Sequence, residues 1–282
     1  IRLFVQLPLW FTACGCCTSA LYPNGSTAKN CCGLRVSALL DSVSISLWQY
    51  VLAVLVVAVG AMIQGSLGFG LGLVSAPALA LIDATFIPGP LLLVGVAVTL
   101  TVFLRERGAV DWKGMKWAIF GRVIGTIAGG WAVVAFSKDA VIVLVAVLVL
   151  AGVLMTSIGW KIKTNRITLS TAGLVSGVMG TLTSVGGPPM ALVYQRETAQ
   201  KLRATLAGFF LVGATFSLLT LAVSGGMSQH DFVLGALMLP GYVIGMIANR
   251  WASKFLDKGY SRVAVLSFSA LSSIVLLLEV YF

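Results

Sequence analysis

The chain has 282 residues, of which 59% are hydrophobic and only 10% charged, with a formal net charge of +10. A soluble protein carries roughly 25% charged residues, so this composition, with its mean hydropathy of +1.01, excludes a soluble domain and calls for an integral membrane protein. The basic excess lies in short linkers between apolar runs, which fits the positive-inside rule and excludes a nucleic-acid partner.

Residues 1–45 hold all five cysteines, Cys14, Cys16, Cys17, Cys31 and Cys32, with no histidine or neighbouring carboxylate to complete a metal site. The first methionine, Met62, is already inside an apolar run. These residues read as an N-terminal extension outside the working core. Their run Leu3–Ala13 faintly resembles a secretory or lipoprotein segment, but it is short and weakly charged.

Apolar stretches follow at 47–82, 88–104, 117–136, 139–160, 167–194, 204–224, 232–250 and 262–281. Four linkers are basic: Arg105, Arg107, Lys113 and Lys116; Lys161, Lys163 and Arg166; Arg196, Lys201 and Arg203; Arg250, Lys254, Lys258 and Arg262. The linkers at 83–87, 137–138 and 225–231 carry Lys138 alone. Placing the basic linkers in the cytoplasm makes six stretches cross once. The segment 167–194 must then start and finish inside, and it is too short for two crossings, which need about 40 residues. It is expected to be a hairpin of two half-length helices, each reaching roughly 20 Å. Its counterpart at 47–82 starts and finishes outside.

The chain therefore repeats itself. Gly121 to Trp131 matches Gly241 to Trp251 at seven of eleven positions with a constant offset of 120, and Gly65, Gly68 and Pro77 match Gly177, Gly180 and Pro189 at an offset of 112. The expected architecture is an all-α integral membrane protein with two inverted-topology repeats, 46–160 and 161–282. Each is a broken helical hairpin followed by three transmembrane helices. Repeats with Gly/Pro-interrupted segments in corresponding places mark secondary transporters.

The breaks are the candidate binding site. The first contributes Gln64, Gly65, Ser66, Gly68, Gly70, Ser75 and Pro77; the second contributes Gly177, Gly180, Thr181, Thr183, Ser184, Gly186, Gly187 and Pro188. Glycine and proline open helices here, and unsatisfied backbone at membrane depth is tolerated only in protein or around a polar cavity. Two breaks meeting near the midplane would aim helix N-termini and hydroxyls at one point, a setting that favours anions. Close helix packing also uses glycine and serine without any ligand. The duplication at matching places is what favours binding. The run Gly68-x-Gly70-x-Gly72 has no strand, lysine or soluble domain to make it a nucleotide loop.

No Asp or Glu lies mid-span, so no carboxylate proton relay is expected. The only histidine, His230, falls in an outer loop, and an intramembrane enzyme cannot be assembled around it. No metal and no cofactor is called for. Arg122 is the one basic residue set into a span, about six positions and roughly 8 Å past Lys116. The expectation is that it snorkels to the cytoplasmic interface, with direct anion contact or a vestibule role as the alternative. Trp131 and Trp251 read as interfacial anchors ending their helices.

Gln64-Gly65-Ser66-Leu67-Gly68-Phe69-Gly70 leading to Pro77, and Gly177, Gly180 and Ser184-Val185-Gly186-Gly187-Pro188-Pro189, together resemble the TauE/SafE family of sulfite exporters over residues 46–282. That resemblance implies a duplicated membrane domain moving sulfite, sulfoacetate or related sulfur-containing anions. The expected function is export of such a small anion across the cytoplasmic membrane by alternating access, with that anion and the lipid bilayer as partners. The alternative is a passive anion channel or a scaffold subunit of a larger complex.

Overall fold

A computed structural model describes residues 45–158, 163–256 and 260–281. The Cys-rich extension and its possible signal segment lie outside the described residues. Ten α-helices carry the described chain: α1 Leu47–Leu67, α2 Leu71–Ile82, α3 Gly89–Glu106, α4 Trp112–Ala135, α5 Lys138–Ile158, α6 Arg166–Thr183, α7 Gly187–Tyr194, α8 Ala199–Val223, α9 Gln229–Leu256 and α10 Tyr260–Tyr281. No strand occurs among the described residues. Five of these helices, α1, α3, α4, α8 and α9, are long and apolar enough to cross a bilayer. Apolar side chains cover the outer faces, among them Phe120, Ile127 and Trp131 of α4, as lipid contact requires.

Local chemistry sets the helix ends. Gln49 Oε1 accepts from Ser46 N–H at 3.0 Å where α1 begins, and Gly68 ends that helix in the left-handed region at φ 84°. Asn165 Oδ1 accepts from Thr168 N–H at 2.8 Å where α6 begins. The left-handed Ser184 ends α6, and Pro188 and Pro189 pre-set the first turn of α7.

Both segments expected to break do break, but their arms are unequal. The first arms have 21 and 18 residues and the second 12 and 8, in place of the matched half-helices expected. The breaking residues lie C-terminal of each segment's middle, so each first arm continues for roughly 27–31 Å. Each long arm packs chiefly on a helix from the other half of the chain: α6 on α4, and α1 on α9. Glycines permit both approaches. Gly121 and Gly125 of α4 lie against the Ser170 and Leu174 carbonyls, and Gly241 and Gly245 of α9 against those of Val54 and Ala58.

The hairpins turn back on opposite ends of the bundle. Gln49 Nε2 donates to Ile82 O at 3.4 Å, so α1 starts beside the end of α2. There Asp83, Thr85, Ser228, His230 and Asp231 line a cavity of about 750 Å³. Thr164 Oγ1 donates to Val193 O at 3.2 Å, so the second hairpin also closes on itself, at the far end of α3. That end gathers basic linkers: Arg203 Nε donates to both Glu106 oxygens at 3.2 Å, and Asp111 N–H donates to Thr205 Oγ1 at 3.0 Å.

Two local expectations change. Trp131 and Trp251 are exposed but do not end their helices, which run on to Ala135 and Leu256. His230 stands in the first turn of α9 rather than in a loop.

Candidate functional site at the junction of the broken hairpins

The two breaks touch. A Cβ on Gly72 would collide with the Ser184 carbonyl, and one on Gly187 would lie 3.2 Å from Phe69 Cβ. A cavity of about 50 Å³ opens where they meet, with room for water-sized or small-ion-sized occupants. Gln64, Gly70 and Gly72 line it from the first break, and Gly180, Ser184, Gly186 and Gly187 from the second. Leu91, Leu92 and Thr99 of α3, Phe210 and Ala214 of α8, and Arg122 of α4 complete the wall.

Arg122 is 3% exposed and points inward, which overturns the expectation that it snorkels. The reason is its helix face: Arg122, Gly125, Thr126 and Gly129 form the buried stripe of α4. The guanidinium fits a space left by glycines. A Cβ on Gly180 would stand 2.8 Å from Nη2, one on Gly186 2.7 Å from Nη1, and one on Gly213 would strike Nε. Nη1 donates to Ser176 Oγ at 2.7 Å, and Ser176 Oγ in turn donates to Gly186 O at 2.5 Å. The guanidinium carbon lies 5.1 Å and 5.9 Å from the ring centroids of Phe209 and Phe210.

This cation is under-compensated. Nε is buried without a hydrogen-bond partner, and among the described residues no carboxylate forms an ion pair with Arg122. Burying an unpaired charge costs several kcal/mol, whereas cation–π contact returns about 2 kcal/mol when desolvated. One neutral hydrogen bond to Ser176 does not close that gap, and an anion in the adjoining cavity would. A buried guanidinium beside a cavity favours an anion as its occupant.

The remaining expected residues divide by position. Gln64 Oε1 accepts from Leu71 N–H at 3.0 Å, capping α2 beside the cavity. Ser184 Oγ donates to Pro88 O at 3.0 Å. Gly65 and Ser66 face α9, where Ser66 Oγ donates to Asn249 Oδ1 at 2.5 Å. Gly68 abuts Arg203, and Gly177 packs on Arg122 and Thr126 of α4. Ser75 Oγ donates to Val56 O at 3.3 Å, Thr181 Oγ1 bonds Ser217 Oγ at 2.8 Å, and Thr183 Oγ1 donates to Met179 O at 2.8 Å. Pro77 is buried within α2, and Pro188 lies against Gly152. These nine shape the breaks without lining the cavity.

Sequence reasoning missed Ser176, the Phe209–Phe210 pair, Gly213 and Asn249, whose Nδ2 is buried without a partner. Asn249 had a signal: it replaces Gly129 where the two copies of the Gly121–Trp131 motif diverge. The residues on α8 had none, because nothing in the run Phe209 to Gly213 marks the face that meets α4.

The family model described as "Sulfite exporter TauE/SafE" matches residues 52–276. No curated protein and no solved structure matches the chain. The family match takes in both breaks, Arg122 and every element around the cavity, and its members are membrane transporters of sulfite and related anions rather than enzymes. The chain belongs to the TauE/SafE sulfite exporter family and is a multi-pass membrane protein of the transporter class.

Proposed function

We propose that the chain exports sulfite or a related small sulfur-containing anion across the cytoplasmic membrane by alternating access, and that the anion sits beside Arg122. The observation that carries this reading is the buried, unpaired guanidinium facing a cavity between the two breaks. Gln64, Gly70, Gly180, Ser184, Gly186, Gly187 and Arg122 form the contact set. Gly65, Ser66, Gly68, Ser75, Pro77, Gly177, Thr181, Thr183 and Pro188 hold the breaks in shape. The repeats 46–160 and 161–282 run with inverted topology. Their long arms exchange partners, and their hairpins close at opposite ends of α3, one end basic and one not. Taking the basic end as cytoplasmic follows the positive-inside rule.

Export follows from the field. A negative-inside potential drives anions outward by about 2.3 kcal/mol per charge per 100 mV, so no coupled ion is needed. Counterflow of labelled sulfite in proteoliposomes tests the mechanism. Stimulation of labelled uptake by internal unlabelled sulfite is expected of alternating access; flux without counterflow would overturn it.

A further inference from the structure

Phe69 stands between two spaces. On one side is the cavity beside Arg122. On the other is a cavity of about 240 Å³ at the basic end, lined by Ser66, Gln195, Glu197 and Arg203 among others. Phe69 lines both, and no other residue described as lining one lines the other. The side chain is 8% exposed and belongs to the break itself, outside α1 and α2.

Its backbone is placed to swing. Gly68 and Gly70 flank it at φ 84° and 130°, conformations that glycine adopts freely and other residues rarely do. Across the junction, the missing side chain of Gly187 leaves the seat in which Phe69 Cβ and ring rest against α7. An aromatic ring on a two-glycine segment, seated in a glycine notch, can leave that seat without breaking a helical hydrogen bond. Hinges are a few non-helical positions that absorb such φ/ψ changes.

We propose that Phe69 is the gating residue of the transport path, closing the Arg122 cavity from the vestibule at the basic end. The proposal rests on the anion-site reading of that cavity, but it concerns access and is testable without transport. With Phe69 seated, the anion beside Arg122 exchanges only with the other end; displacement of the ring joins cavity and vestibule.

The test places a cysteine at Thr99, which lines the inner cavity, in the full-length chain in inside-out membrane vesicles. The probe is the small anionic reagent methanethiosulfonate ethylsulfonate, and modification at position 99 is read by peptide mass. If the open form is a minor state, Phe69→Ala should raise the labelling rate by on the order of tenfold to a hundredfold. Phe69→Trp should not raise it. Gln195→Cys, in the vestibule, should label equally whether or not Phe69 is present. An unchanged rate at position 99 in Phe69→Ala overturns the proposal. An equal acceleration at position 195 also overturns it, since that indicates general loosening. Phe69→Leu serves as a second variant of intermediate size, with an intermediate rate expected. Faster labelling in a protein that passes no sulfite would leave the gate standing and sink the substrate reading instead.

Discussion

Gly72 and Ser184 lie 112 positions apart, at matching places in the two copies of the broken segment, and they touch: a Cβ on Gly72 would fall on the Ser184 carbonyl oxygen. Positions at the same 112-residue offset as Gly65 and Gly177 thus meet each other, and the cavity beside Arg122 adjoins this contact. The contact is backbone to backbone, so no rotamer change can relieve an added atom.

Gly72→Ala should therefore lower stability by about 1–3 kcal/mol, the usual cost of overpacking. Thermal unfolding in detergent measures it, with Gly108→Ala as the control, since a Cβ at Gly108 meets nothing within 4 Å. Equal melting temperatures for the two variants would mean that the breaks do not touch as described.

Arg122→Met should raise the melting temperature of the anion-free protein while abolishing sulfite transport. The sign follows from burial: replacing an unpaired buried charge by an apolar side chain of similar length removes a desolvation cost of several kcal/mol. Sulfite should stabilise the parent by mass action and leave the variant unmoved. A destabilised variant that still gains stability from sulfite would contradict the placement of the anion.

Ser176→Ala removes the acceptor of Arg122 Nη1 and the donor to Gly186 O together. Two buried polar groups lose their partner, at about 1–3 kcal/mol each. If orientation of the guanidinium is what suffers, the half-saturating sulfite concentration should rise by roughly tenfold or more, with Arg122 still in place. An unchanged value would show that Ser176 does not orient the site.

The breaks were legible because backbone chemistry demanded particular residues. A left-handed helix end at Gly68 and a helix start at Pro188 favour glycine and proline, so the duplicated Gly65, Gly68 and Pro77 pattern marked both hairpins. Unequal arms were less visible, since an apolar run does not say how far a helix continues beyond its neighbour's end. The inward aim of Arg122 was in fact written in the stripe Gly125, Thr126 and Gly129, three, four and seven positions on. Reading depth from Lys116 instead of helix face led to the snorkelling expectation. Phe209, Phe210 and Gly213 could not be found, because nothing local in α8 shows which of its faces meets α4.

At the basic end, the mostly buried Glu106 carboxylate pairs with Arg203 and with Arg105. Arg203 reaches it with Nε and reaches Ser66 O with Nη1 at 3.4 Å. A double-mutant cycle with Glu106→Gln and Arg203→Gln should give a coupling of about 0.5–3 kcal/mol in thermal stability. Additive losses would mean that α3 and α8 are not joined through this pair.

The most direct test of anion export is efflux of radiolabelled sulfite from preloaded proteoliposomes, with and without an imposed potential, in the parent and in Arg122→Met. Saturable sulfite efflux that an inside-negative potential accelerates, and that the variant lacks, is the predicted result. Efflux that ignores the potential, or that persists in Arg122→Met, would contradict an electrogenic exporter built around Arg122.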